Sequence, residues 1–192
     1  MIQRALALVV LSLLVASALF AQTISVEGVK FEPAATVGGT ALVLNGAGLR
    51  TRAFFKVYAA GLYVPQKSGD AATLLAQDGP RRMSIGMVRD VDATTFANSL
   101  IEGLKSNNTE QQLAAIGPQV EQLQATLKGI GEAKKGDAIQ LDWIPESGTR
   151  IVVNGQPRGE PIPGPAFFTA LLRIWLGERP ADSSLKKALL GG

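Results

Sequence analysis

Apolar and polar positions alternate along the early chain, and that alternation predicts strands before any helix. Ile24, Val26, Val29 and Phe31 alternate around Gly28, as in an early strand or hairpin, until Pro33 interrupts them. Ala41 to Leu44 is a short apolar strand, and Asn45-Gly46-Ala47-Gly48 reads as the turn that follows it. Ala53 to Val64 is rich in Phe, Val, Tyr and Leu and is closed by Pro65, which predicts a long strand. Met83 to Val88 is a further strand, entered from the polar stretch Gln77 to Arg82.

The spacing then changes to that of helices. Phe96, Leu100 and Leu104 recur every fourth residue after Asp92 or Thr94, either of which can cap the helix. Thr109 opens a second helix with the stripe Leu113, Ile116, Val120, Leu123 and Leu127, which Gly117-Pro118 kinks or splits and Gly129 and Gly131 stop. Alternation returns from Asp137 to Trp143. Ser147-Gly148 and Asn154-Gly155 read as hairpin turns on either side of Thr149 to Val153. Pro161 to Pro165 is a stiff loop, Ala166 to Leu176 a strongly apolar helix, and Asp182 caps a last short helix. Hairpins join the late strands, and neither βαβ alternation nor a phosphate loop is present. The order predicts α+β, an antiparallel sheet with helices packed on one face.

The apolar run Ala5 to Phe20, preceded by Arg4, is short for a membrane span and has the charge and small-residue ending of a secretory leader. Residues 1–21 are therefore expected to be a signal peptide, cut after Ala18 or Ala21. Residues 22–192 are expected to form one exported domain, periplasmic or secreted, with no stable membrane span after cleavage. The chain has no cysteine and no histidine. That excludes disulfides, thiolate nucleophiles, Ser-His-Asp triads, the usual zinc sites and histidine-ligated haem. The net charge of +3 is mild, without a dense basic run, and nucleic acid is not an expected partner.

Two stretches carry a family resemblance. Asn45-Gly46-Ala47-Gly48-Leu49-Arg50, followed by Phe55-Lys56-Val57-Tyr58-Ala59-Ala60-Gly61-Leu62-Tyr63-Val64, resembles the chalcone isomerase family. There a Gly-x-Gly-x-Arg turn precedes a Lys-x-x-Ala-x-Gly-x-Tyr strand. Leu176-Gly177-Glu178, with Asp182 to Lys186, resembles the family's closing helices. The resemblance covers most of Gly28 to Leu190 and is to the bacterial exported branch. It implies the chalcone isomerase fold, an open-faced sandwich of a large antiparallel sheet and helices with a ligand cleft between them.

The resemblance also implies roles. Arg50 matches the arginine that steadies the substrate phenolate in the plant enzymes. Tyr58 stands where those enzymes carry a water-ordering threonine. Met87, Phe96, Gly103 and Ile174 stand where they carry Lys, Tyr, Asn and Thr. An Arg–Tyr pair resembles instead the plastid fatty-acid-binding branch, where the pair receives a carboxylate at the mouth of an apolar cleft. A guanidinium suits that task as a planar, permanently charged, bidentate partner. Phe54, Met87, Phe96, Ile174 and Trp175 are the expected apolar lining. A third branch, in fungal mitochondria, is associated with haem. Without histidine this chain would have to ligate iron through Tyr58, Tyr63, a Met or a Lys, so no cofactor is the expectation and haem the alternative.

The expected function is thus a periplasmic, non-catalytic protein binding a fatty acid or similar apolar carboxylate through Arg50 and Tyr58. The alternatives are an intramolecular lyase (isomerase) using Arg50, a haem-binding protein, and an interaction module with a vestigial cleft. Tyr58 reads equally as a ligand contact or as a core residue with one satisfied hydroxyl. By alternation Phe54, Lys56 and Tyr58 share one face of their strand, with Phe55 and Val57 on the other, and Tyr63 belongs to the core. Arg89 and Asp90 either border the cleft or form a solvated ion pair.

Overall fold

A computed structural model describes residues 22–192. The expected leader, residues 1–21 with both candidate cleavage sites, lies outside the described residues. Among those described, no helix is long and apolar enough to cross a membrane.

Two short strands, β1 (Ile24–Val26) and β2 (Val29–Phe31), form a hairpin whose turn, Glu27-Gly28, lies in the left-handed region. Seven strands form the main sheet. They are β3 (Ala34–Val37), β4 (Thr40–Arg52), β5 (Phe55–Val64), β6 (Arg81–Met87), β7 (Ala138–Ile144), β8 (Gly148–Val153) and β9 (Gln156–Ile162). They are ordered β3-β4-β5-β6-β7-β8-β9 in space as in sequence, and every neighbour is antiparallel. Between the strands come α1 (Ala71–Ala76), α2 (Ala93–Asn107), α3 (Glu110–Ala115) and α4 (Gly117–Ile130). After the sheet come α5 (Pro165–Leu176) and α6 (Ser183–Leu189). This is the expected α+β architecture, a curled antiparallel sheet with helices against one face.

The helix-facing core joins Leu62, Met83 and Ile85 of the sheet to Leu104 of α2 and to Phe168 and Leu171 of α5. Each such buried side chain contributes about 1.5–3 kcal/mol. A smaller core on the opposite face packs Phe31, Leu42, Leu44, Ala59 and Tyr63 under the β1–β2 hairpin. Tyr63 is core as expected, and its hydroxyl donates to the Glu32 carbonyl at 3.0 Å.

The expected turn at Asn45–Gly48 is a correction. Those residues lie inside β4, which runs unbroken to Arg52 apart from a register shift between Leu44 and Gly46. The glycines serve a close approach instead. A Cβ on Gly46 would collide with the Ala188 carbonyl of α6, and one on Gly48 would lie 2.6 Å from the Ala188 side chain. Asn45 is buried at the shift. Its amide donates to the carbonyls of Leu189 (2.6 Å) and Ser68 (3.0 Å), and its oxygen accepts from the Ser68 N–H at 2.8 Å. The true β4–β5 turn is Ala53-Phe54, with Ala53 at φ +53°.

Other expectations hold with small shifts of boundary. Asp92 caps α2 and Asp182 caps α6. The second predicted helix splits at Ile116 into α3 and α4. Asn154-Gly155 is a two-residue turn with both residues at positive φ. The Pro161–Pro165 loop is partly strand, because β9 is an edge strand and tolerates proline up to Ile162.

Candidate functional site

The end of β4 and the start of β5 carry the site. Arg50 pairs with Tyr58 across the two strands, but the next pair is Thr51 with Lys56, which leaves Val57 as an extra residue in a bulge. The bulge breaks the strict alternation expected from sequence. Val57 joins Tyr58 in the helix-facing core, and Phe55 follows it to that side. Lys56 is turned towards the β1–β2 hairpin, where its Nζ meets Glu27 at 2.8 Å. Phe54, expected as cleft lining, sits at the hairpin tip with 97 % of its surface exposed and is not part of the cleft wall.

The structure gathers Arg50, Tyr58, Phe96 and Ile174 as the resemblance implies. They meet with Ser99, Leu100 and Ala181 around an inner void of only about 10 Å³. That is room for one water at most. Tyr58 is wholly buried, and its hydroxyl accepts the indole N–H of Trp175 at 2.8 Å. Met87 lies beside Tyr58 in register and is buried in the same core. Burial pushes the Tyr58 phenol above its ordinary pKa of 10.0, while Arg50 and the Trp175 hydrogen bond pull it down. The apolar volume expected behind Arg50 and Tyr58 is therefore filled by Met87, Ile174 and Trp175.

A ligand-sized space lies on the other side of Arg50. A cleft of about 410 Å³ opens between the β4–β5 hairpin and the N-terminal half of α2, within the ~300–1,000 Å³ of small-molecule sites. Phe55, Val57, Val91 and Phe96 give it apolar walls, and Arg50, Arg52 and Arg89 supply cations. Arg50 borders both spaces. Its guanidinium lies 5.3 Å from the centre of the Tyr58 ring, and its Nε is buried without a hydrogen-bond partner. Arg89 packs over Phe55 at 4.7 Å, and Arg52 reaches Ser99 Oγ at 3.5 Å.

The solvated Arg89–Asp90 ion pair is not formed. Asp90 instead accepts the Lys135 backbone N–H at 2.7 Å, and both residues border the cleft, the other expected placement. Asp92 accepts the Thr95 N–H at the start of α2. Both carboxylates of the cleft are thus engaged by backbone, and its arginines have no acid partner among the described residues. The arrangement suits holding an anion with an apolar body better than moving a proton. The residues left for haem ligation do not line this cleft, since no Tyr, Met or Lys does.

Sequence reasoning missed Arg52, Phe55, Val57, Val91 and Ser99 as cleft residues. The signal for the first three was the position of the β4–β5 turn, which glycines elsewhere in the strand disguised.

Residues 22–191 match the family described as chalcone isomerase-like, and the chain belongs to that family. Among solved structures, it is similar to a fatty-acid binding protein of Arabidopsis thaliana. The TM-score is 0.66 at 16 % identity, over 88 % of this chain and 96 % of that one. The likeness confirms the chalcone isomerase fold. No curated protein sequence matches the chain.

Proposed function

We propose that this is an exported, non-catalytic binding protein for a fatty acid or similar apolar carboxylate. One observation carries the reading: Arg50, with its Nε buried and unpartnered, borders a cleft that combines apolar walls with arginines lacking an acid partner among the described residues. Because the void behind Arg50 is nearly closed, the carboxylate enters first and the tail lies outward over Phe55, Val57 and Phe96. That reverses the orientation implied by the family resemblance, with the head at the bottom of the cleft and not at its mouth. Tyr58 supports Arg50 with its ring from behind and lies outside the cleft lining.

An intramolecular lyase would need a proton acceptor near Arg50. Tyr58 is held protonated, and Asp90 and Asp92 are engaged by backbone. Export rests on the sequence of residues 1–21. Binding is tested by native mass spectrometry of protein recovered from its own compartment, together with oleate titration. A co-purifying lipid and an oleate affinity that Arg50→Ala weakens are expected. Protein free of lipid, with no oleate affinity, would sink the reading. Chalcone cyclisation above the uncatalysed rate, lost with Arg50→Ala, would replace it with the lyase.

A further inference from the structure

The β4–β5 tip is the least protected apolar surface among the described residues. Phe54 is 97 % exposed and Phe55 60 %, whereas the other exposed large apolar residues, Ile24 and Val43, are near 40 % (41 % and 37 %). Every residue from Thr51 to Lys56 is exposed. The tip turns through Ala53 at φ +53°, a conformation that glycine would adopt without strain. Cations surround it. Arg52 and Arg89 have no acid partner among the described residues, and Lys56 is matched by Glu27 alone. Two aromatic side chains on a narrow hairpin, ringed by arginine, have the chemistry to enter the apolar edge of a bilayer while the guanidinium groups stay with anionic headgroups.

From this we infer that the Ala53-Phe54-Phe55 tip docks the protein on an anionic lipid surface. The position matters, because Ala53 and Phe55 belong to the wall of the cleft. A tip seated in lipid brings the cleft mouth to the surface from which an amphipathic carboxylate would be drawn. The docking itself stands on the tip and does not depend on what the cleft holds.

The test places a reporter at the tip. The full chain carrying Phe54→Trp is mixed with vesicles of phosphatidylglycerol and phosphatidylcholine, and with phosphatidylcholine alone, with brominated acyl chains in each. Trp143 and Trp175 are buried and give a constant background, read from the parent chain. A blue shift and bromine quenching of the new indole are expected with the anionic vesicles. Both should fade near 1 M salt, where the screening length falls to about 3 Å. Arg52→Gln with Arg89→Gln should weaken vesicle affinity on the order of tenfold, and Phe54→Ser by about as much.

Several outcomes overturn the inference. One is an indole that stays solvent-exposed and unquenched beside anionic vesicles. Another is equal, salt-independent binding to neutral vesicles. A vesicle affinity untouched by Phe54→Ser would assign binding to another part of the chain. A concentration-dependent blue shift without lipid would assign the tip to a second copy of the chain. Oleate titration without vesicles separates this inference from the ligand reading, because Phe54→Ser should keep the parent's oleate affinity. A fall in that affinity would put Phe54 in the ligand site and remove the tip from the lipid surface.

Discussion

Arg50 sits where an isolated cation is costly unless something completes it. Its Nε is buried and unpartnered, while Tyr58 offers a ring face and no charge. A carboxylate in the cleft would complete it with a charge-assisted bond of about 1.5–3 kcal/mol. Arg50→Met is therefore expected to lower oleate affinity by roughly tenfold to a hundredfold, measured by calorimetric titration. Arg50→Lys should recover only part of the loss, because it restores charge without the planar fork. The tyrosines give a second residue-scale expectation. The chain has 2 of them, and burial raises both above 10.0 in the folded state. Above about pH 10 the unfolded chain loses those protons first, so stability present below pH 10 falls as the pH rises further. An alkaline titration should show tyrosinate absorbance appearing together with loss of the fold. Tyr58→Phe should flatten that fall in stability by up to about 1.4 kcal/mol per pH unit. It should also cost about 1–3 kcal/mol at neutral pH by leaving the Trp175 N–H unpaired.

At the scale of elements, the hydrophobic period showed most strands and helices, and it failed where packing decided the backbone. The glycines of β4 are an example. Locally, Asn45-Gly46-Ala47-Gly48 has turn chemistry, yet it is strand because α6 needs the space that their missing side chains leave. Gly46→Ala is expected to lift α6 and cost about 1–3 kcal/mol. A lower denaturation midpoint and faster amide exchange in α6 would show it. Asp182 adds a second tie, accepting the Leu185 N–H at the start of α6 and the Thr51 N–H of β4, each at 2.9 Å. Asp182→Ala should cost about 1 kcal/mol or more. The Val57 bulge was illegible for a different reason. Alternation assumes one residue opposite one, and nothing in Phe55-Lys56-Val57-Tyr58 announces the extra residue. The sequence therefore identified Arg50, Tyr58, Phe96 and Ile174 as neighbours but put the cleft on the wrong side of Arg50. It also placed Phe54, in place of Phe55, in the lining.

For the whole molecule, a ligand that binds only the folded chain must stabilise all of it. Oleate at about a hundred times its dissociation constant should add about 2.7 kcal/mol. In a domain of this size that raises the melting temperature by about 5–10 °C. Scanning calorimetry of the parent chain should show the rise, and Arg50→Met should cut it to about half or less at the same oleate concentration. The two faces of the sheet differ in what such a ligand can reach. The helix-facing side holds the cleft, while the hairpin-covered side is sealed by Phe31 and Val29 against Gly61 and Gly86.

The contact of α6 with β4 also bears on the order of events as the chain is made. Each strand of the sheet pairs with the next strand in the chain, the one long interval being that from β6 to β7 across α2, α3 and α4. Asn45 is different, because its amide waits for a carbonyl 144 residues further on, at Leu189. Until α6 arrives, the middle of β4 keeps a bare strip of glycine backbone, and the Asn45 amide has Ser68 as its partner but not yet Leu189. Closure at β4 thus waits until α6 has been made, and a chain truncated before Ser183 would keep its meander of strands but leave that strip uncovered.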